Sequence, residues 1–319
     1  MLSRVAENLY WMARYVERAE NTARLISVNT NLLLDLPRGI APGWVPLVDI
    51  MGLNGDFDER YKEPGERQVL KFLIGDRKNS GSILSSLRAA RENCRTVRDT
   101  LPREIWEELN EMYLYADENL NAGLTKRGRH EYLQRIIRGS QLFIGILSST
   151  QNRDESFDFL RIGRNLERAD MTTRIVDVRS ADLLPRDVSD LRPFDTIQWV
   201  SVLHSLSAYQ MYRRHLQTHV RREAVLLFLF KDTRFPRAFR HCLDAIEECL
   251  GNLKNNREPL RRLRAMVRKV DRTRVESLDQ ATLHGYIDDL QGSLIDLHNA
   301  LVATYFPQAM VAQQQSQAC

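Results

Sequence analysis

The sequence predicts an all-α protein, an internally duplicated helical bundle of two pseudo-symmetric halves with about five helices each. Three observations carry that expectation. Glycine (15) and proline (10) are sparse and grouped in 319 residues, and alternating β-branched runs are scarce. Apolar residues recur with the helical period. Finally, the segment RYVERAENTAR (14–24) returns as RNLERADMTTR (164–174) with six of eleven positions identical.

The first helix is read over residues 4–34. At 100° per residue, Met12, Tyr15, Val16, Ala19, Ala23 and Ile26 fall within an arc of about 100°, wide enough for a core-facing stripe. Arg14, Glu17, Arg18, Glu20, Asn21 and Arg24 fall on the other side. In the second copy Ile162, Leu166, Ala169 and Val176 face inward. Arg164, Glu167, Arg168, Asp170 and Arg174 face outward or towards a polar cleft. A loop, DLPRGIAPGW (35–44), follows the first helix, and DLLPRDVSDLRPFDTIQW (182–199) is read as its counterpart. Trp44-Val45 then matches Trp199-Val200, an offset of 155. RQVLKFLIGDRKNSGSILSSL (67–87) matches EAVLLFLFKDTRFPRAFRHCL (223–243) at an offset of 156, and HEYLQRIIRGS (130–140) resembles HGYIDDLQGSL (284–294) at 154. Four landmarks in order at nearly constant offset give one domain over 1–306, made of repeats at about 1–150 and 154–306. That period is too long for a solenoid. The Gln-rich tail 307–319 is expected to be disordered.

Composition excludes several classes. Hydrophobic content is 43% and charged content 28%, ordinary for a globular chain. The net charge of +4, from 46 Lys+Arg against 42 Asp+Glu, is too mild to imply nucleic acid. The four cysteines, Cys94, Cys242, Cys249 and Cys319, have neither CxxC spacing nor a disulfide framework. The opening MLSRVAENLYWMARYVERAE lacks the uncharged apolar core of a signal peptide, and the longest apolar run, near Ala224 to Phe230, is too short to span a bilayer. No membrane association and a cytoplasmic location are expected.

The repeated Glu-Arg helix is the main chemical candidate, and it admits three readings. Glu20 with Arg24 and Asp170 with Arg174 are spaced i,i+4, and Arg14 with Glu17 i,i+3, as in an exposed salt-bridge lattice. Alternatively, a buried Arg-Glu network fixes how the halves dock. In the third reading Arg14, Arg18, Arg24, Arg164, Arg168 and Arg174 line a cleft for a carboxylate or phosphate, with Glu17 and Glu167 orienting the guanidinium forks. Lesser candidates follow. His215, His219 and Glu223 would share a helix face, but HxxxH is common and Leu216 stands where a zinc peptidase has its Glu, so no metal site is expected. Asp76 and Asp232 are read as turn or cap residues. Nucleotide-loop and nucleophile motifs are missing. The acidic segment 103–118 and the basic segment 257–274, with eight Lys/Arg and two acids, either pair with each other or make two oppositely charged surfaces.

LSRVAENLYWMARYVERAENTARL at the start closely resembles the opening of the bacterial Alpha-E family, helical proteins with a Glu-Arg motif. FLRIGRNLERADMTTRI, RVESLD, LHGYIDDLQ, the closing TYF and VRDTLPREIWEELNEMY extend the resemblance over about residues 2–306. One departure is Ala13, where the family commonly has glycine, as Gly163 does here. The resemblance implies a partner, a circularly permuted ATP-grasp protein, with a transglutaminase-like peptidase or a proteasome-related pathway in the same setting. It implies an accessory or substrate-binding subunit of an ATP-grasp-type amide (peptide) ligase. Such a subunit is not expected to be an enzyme on its own or to carry a cofactor, since the partner supplies ATP and Mg. Two alternatives stand beside it: a stand-alone catalyst of amide-bond formation or transfer using Glu17 or Glu167 as general base, and a scaffold or nucleic-acid-binding protein using 257–274.

Overall fold

A computed structural model describes residues 1–35, 43–180, 192–217 and 219–306. Within these residues every regular element is helical. α1 (Ser3–Asp35) opens the chain and runs for 33 residues, about 50 Å. The short α2 (Val45–Met51) and α3 (Asn54–Asp58) lead to α4 (Glu66–Ile74) and α5 (Ile83–Val97). Then come α6 (Arg103–Glu118), a single turn α7 (Leu120–Leu124) and the long α8 (Arg129–Thr150). The second series is α9 (Glu155–Ser180), α10 (Arg192–Ser205), α11 (Tyr209–Leu216), α12 (Arg222–Lys231), α13 (Phe239–Asn252), α14 (Arg257–Arg272) and α15 (Gln280–Tyr305). The described residues thus hold eight helices before position 150 and seven after 154, not about five each, because one- and two-turn pieces break the connections.

Local signals place several boundaries. Pro46 sits in the first turn of α2, where a missing N–H costs nothing, and Gly52 ends that helix at φ 67°. Ser82 caps α5 by accepting from the Ser85 N–H (3.2 Å), and Asp279 caps α15 by accepting from Thr282 (2.8 Å). Asp76 and Asp232 close turns as expected. Asp76 accepts from the Lys78 N–H (2.9 Å), and Asp232 from those of Arg234 and Phe235 (both 2.7 Å). The region read as a second loop, 182–199, is helical from Arg192 onward. Its apolar residues continue the helical pattern that Pro193 starts, since proline is at home in a first turn. The earlier part of that loop, most of 35–44 and the tail 307–319 lie outside the described residues.

The two series pack in the same order. α1 lies against α5 and α8, as α9 lies against α13 and α15; α6 joins α5 to α8, as α14 joins α13 to α15. α1 and α9 also pack on each other, so the two long helices form the centre of one continuous apolar core. Of the predicted stripe, Met12, Val16, Ala19, Ala23 and Ile26 are buried and Tyr15 is half-buried against the core, while Ile162, Leu166, Ala169 and Val176 are buried on α9. The other side of α1 is not a solvated face. Glu17, Glu20 and Asn21 are 2%, 2% and 1% exposed. The reason is that α9 covers it. No described helix is long and apolar enough to cross a membrane.

The acidic and basic segments do not meet. α6 packs on α5, α7 and α8, whereas α14 packs on α12, α13 and α15. Much of the basic charge on α14 is matched locally, with Arg261 and Arg262 on Glu258, Arg264 on Glu247 (2.7 Å) and Lys269 on Asp289 (2.5 Å). This local matching weakens the nucleic-acid reading.

Candidate functional site: a buried arginine-glutamate cluster between two long helices

Close approach of α1 and α9 comes first. A side-chain carbon on Gly163 would drive into the backbone carbonyl of Tyr10, so only glycine lets the helices cross there. Ala13, at the matching position of α1, is buried and small enough to fit. One turn further along both helices, the charged residues interlock.

The interlock is reciprocal. Glu167 on α9 accepts from Arg14 Nε (2.8 Å) and from Arg18 Nε (2.6 Å) and Nη2 (3.1 Å) on α1. Glu17 on α1 lies 2.9 Å from Arg168 Nε on α9. Arg14 therefore crosses to the other helix and does not pair with Glu17 on its own, whereas the expected Glu20–Arg24 (2.5 Å) and Asp170–Arg174 (2.8 Å) pairs do form. Helix spacing permits the Arg14–Glu17 pair, but Glu17 is occupied by Arg168 and Arg237, and Arg14 turns to Glu167 across the helix pair.

Arg237, just before α13, completes the cluster and was not singled out in the sequence. Its Nη1 donates to Glu17 Oε1 and to Asn21 Oδ1 (both 2.7 Å), and its Nη2 donates to Glu20 Oε1 (2.9 Å). The residue 156 positions earlier is Gly81, so the offset between the matching segments gives no hint of it. Also unforeseen is an aromatic flank. The Tyr10 hydroxyl accepts from Arg14 Nη1 (3.0 Å) and donates to His298 Nδ1 (2.8 Å), while the Arg14 guanidinium lies 4.8 Å from the Trp11 ring centre. Farther along α9, buried Arg179 donates to Asn29 on α1 (2.9 Å), a second polar link between the helices.

Charge state follows from burial and pairing together. Burial alone would raise Glu17, but Arg168 and Arg237 overcome it and hold the carboxyl at about 2. Burial likewise opposes ionisation of Glu167, and Arg18 and Arg14 hold it at about 2. A carboxylate so held and so enclosed is a poor proton acceptor near neutrality, which counts against Glu17 or Glu167 as general base. Burial and then Arg14 push His298 down to about 4, so it is neutral at pH 7.

Arg164 behaves differently. It makes no hydrogen bond or ion pair among the described residues, and its Nε is buried without a partner. Burial and the neighbouring Arg168 lower it to about 10. Counting Arg14, Arg18, Arg24, Arg164, Arg168, Arg174 and Arg237 against Glu17, Glu20, Glu167 and Asp170, the cluster has seven cations and four anions. All eight sequence-selected residues are therefore brought together, as a largely self-satisfied buried network and not as an open row of free guanidiniums.

The remaining candidate does not assemble. α11 ends at Leu216 and Gln217 takes a left-handed conformation (φ 49°), so His215, His219 and Glu223 do not share one helix. His215 instead lies 3.8 Å from Asp232.

The chain is similar to Uncharacterized protein Mb2597 of Mycobacterium bovis and Uncharacterized protein MT2643 of Mycobacterium tuberculosis, each 23% identical over 321 residues. Uncharacterized protein Rv2567 of M. tuberculosis is 22% identical over the same length. Each match covers 93% of this chain but only 35% of the relative, so the chain spans about a third of the length of these proteins. No solved structure matches. The Alpha-E family, described as a predicted alpha-helical domain with a conserved ER motif, matches residues 1–306. With the match spanning nearly the whole chain, this protein belongs to the Alpha-E family.

Proposed function

We propose that the chain is an accessory, substrate- or partner-binding subunit of an ATP-grasp-type amide ligase system, working in the cytoplasm, where a partner supplies ATP and Mg. The observation that carries the reading is the surplus of positive charge in the cluster, above all the unpaired Arg164. The Arg164 Nε–H is buried with no acceptor, and Glu17, its nearest opposing charge, is already held by Arg168 and Arg237, so an incoming carboxylate or phosphate would give it a partner. The mycobacterial relatives lend support, because there the Alpha-E stretch is one part of a much longer chain. A unit with that placement suits work beside another catalytic body. The ATP-grasp identity of the partner rests on the family resemblance. The reciprocal Glu17–Arg168 and Glu167–Arg18 contacts and the like order of packing are what an ancient duplication of a helical unit would leave.

Arg164→Met is the discriminating variant. It removes an unpaired cation and leaves the paired ones, so folding should be kept. The test is co-purification with a circularly permuted ATP-grasp protein from the same organism, and ADP release by the pair with and without this subunit. Wild type should bind and stimulate; Arg164→Met should fold but stimulate poorly. Equal stimulation by both would remove Arg164 from the reading, and absence of any association would end the accessory-subunit proposal.

A further inference from the structure

α14 and α6 hold like positions in the two series, and their outer faces carry opposite charge. α14 has seven bases and two acids, whereas α6 has one base and six acids. Around α14, Arg257, Arg261, Arg264, Arg268 and Arg272 fall within an arc of about 80°, opposite the buried Leu263, Met266 and Val270. Around α6, Glu104, Glu107, Glu111 and Glu118 fall within an arc of about 60°, opposite the buried Leu109, Met112 and Ala116. Exposed Leu114 stands beside the glutamates, between Glu111 and Glu118. All nine charged side chains are exposed, and the two helices do not pack on each other within the chain. We propose that the rows meet between chains: the arginine row on α14 of one copy docks antiparallel on the glutamate row on α6 of the next.

The rows match in length and in spacing. At 1.5 Å per residue the arginines span about 22 Å and the glutamates about 21 Å. Along α14 the steps from Arg257 to Arg272 are four, three, four and four residues. Backwards along α6, from Glu118 through Leu114, Glu111 and Glu107 to Glu104, they are four, three, four and three. An antiparallel approach therefore sets Arg257 on Glu118, Arg264 on Glu111 and Arg268 on Glu107, with Arg272 one residue beyond Glu104. Arg261 comes opposite Leu114, where its methylenes cover an exposed apolar side chain.

The single chain leaves capacity for this contact. Arg257, Arg268 and Arg272 make no ion pair among the described residues, and neither do Glu104 and Glu118. The others are held by exposed neighbours: Arg261 by Glu258, Arg264 by Glu247, Glu107 by Arg103 and Glu111 by Arg135. Exposed pairs of this kind contribute little and exchange readily for a facing row. A second copy is the occupant that satisfies both faces at once, because each chain carries one row of each sign. The contact is head-to-tail, so it closes into a ring or continues as a chain. Built from exposed pairs, it is weak and depends on salt.

Sedimentation velocity tests the proposal. In about 0.1 M NaCl the average mass should rise above 37.1 kDa as protein concentration goes from micromolar to near-millimolar. In about 1 M NaCl, where the screening length falls from about 10 to about 3 Å, it should return to that of a single chain. Two triple variants reverse one row each: Glu107→Lys with Glu111→Lys and Glu118→Lys, and Arg257→Glu with Arg264→Glu and Arg268→Glu. All six positions are exposed, and dichroism confirms folding. Each triple variant alone should stay a single chain at low salt, since its two rows then repel. An equimolar mixture of the two should associate again, about tenfold or more tightly than either alone. A wild type that stays a single chain throughout at low salt, association indifferent to salt, association that survives either reversal, or a mixture that stays apart would each overturn the contact.

Discussion

Glu167→Gln is the sharpest probe of the clasp between α1 and α9. The carboxylate is 2% exposed and takes three charge-assisted hydrogen bonds, at 2.8, 2.6 and 3.1 Å, from two guanidiniums. Glutamine keeps the shape and one acceptor but turns an amide donor towards Arg14 or Arg18. Both cations then stay buried without their counter-ion. Breaking a buried pair in this way costs about 3–5 kcal/mol. A second route gives a similar figure. Holding the carboxyl at about 2, against an ordinary 4.5, corresponds to about 3 kcal/mol. At roughly 2–4 °C per kcal/mol for a domain somewhat smaller than this one, the melting temperature should fall by roughly 10 °C. Thermal and urea unfolding followed by far-UV dichroism would measure it. Replacing Glu167, Arg14 and Arg18 together by Met should recover much of the loss, because no charge is then stranded. A drop of under about 2 °C for Glu167→Gln would refute the reasoning, since an ionised, desolvated partner cannot be removed so cheaply.

Three further expectations follow from the same geometry. Glu17 and Glu167 are held below their usual value, so their contribution is complete above about pH 4.5 and is lost as pH falls towards 2; His298, held near 4, starts the decline earlier, below about 6.5. Unfolding free energy measured across pH 7 to 2 should therefore fall throughout, and the lower part should flatten in Glu167→Gln; an unchanged curve would contradict the pairing. Gly163→Ala should cost about 1–3 kcal/mol or more, because the methyl meets the Tyr10 carbonyl, while Ala13→Gly should cost only about 1 kcal/mol; equal melting temperatures for the two variants would argue against the close crossing. Arg237→Met strips Glu17, Glu20 and Asn21 of a shared donor and should destabilise by about 3–5 kcal/mol, and a loss below 1 kcal/mol in urea titration would mean that Arg168 and Arg24 suffice.

Periodicity made the helices and their apolar stripes legible. Spacing alone placed Val16 and Ala19 in the core, because 3.6-residue geometry is local. The polar side of α1 was harder. A row of Glu and Arg looks the same whether water or another charged helix faces it, and burial depends on what packs there. Arg14 shows the limit well: local spacing offers Glu17, but the tertiary partner is Glu167. Arg237, Tyr10 and His298 were invisible because they join the cluster from segments distant in sequence, with no repeat to mark them. Asp76 and Asp232, by contrast, act on N–H groups two or three residues away, and their role was readable.

The clasp also sets an order for synthesis. α1 leaves the ribosome before the helices that cover it; Arg24 serves Glu20 from within α1, but Glu17 and Asn21 find their partners only at Arg168 and Arg237. The last of these is 220 residues downstream of Glu17. At about 5–20 residues per second, the N-terminal helix waits on the order of 10–40 s before its polar seam is closed. During that interval the seam is held by water, and the first half of the chain is a structure still awaiting its second side. Nascent chains released before residue 237 should therefore be much more sensitive to protease than the finished protein, whatever the quality of their apolar packing.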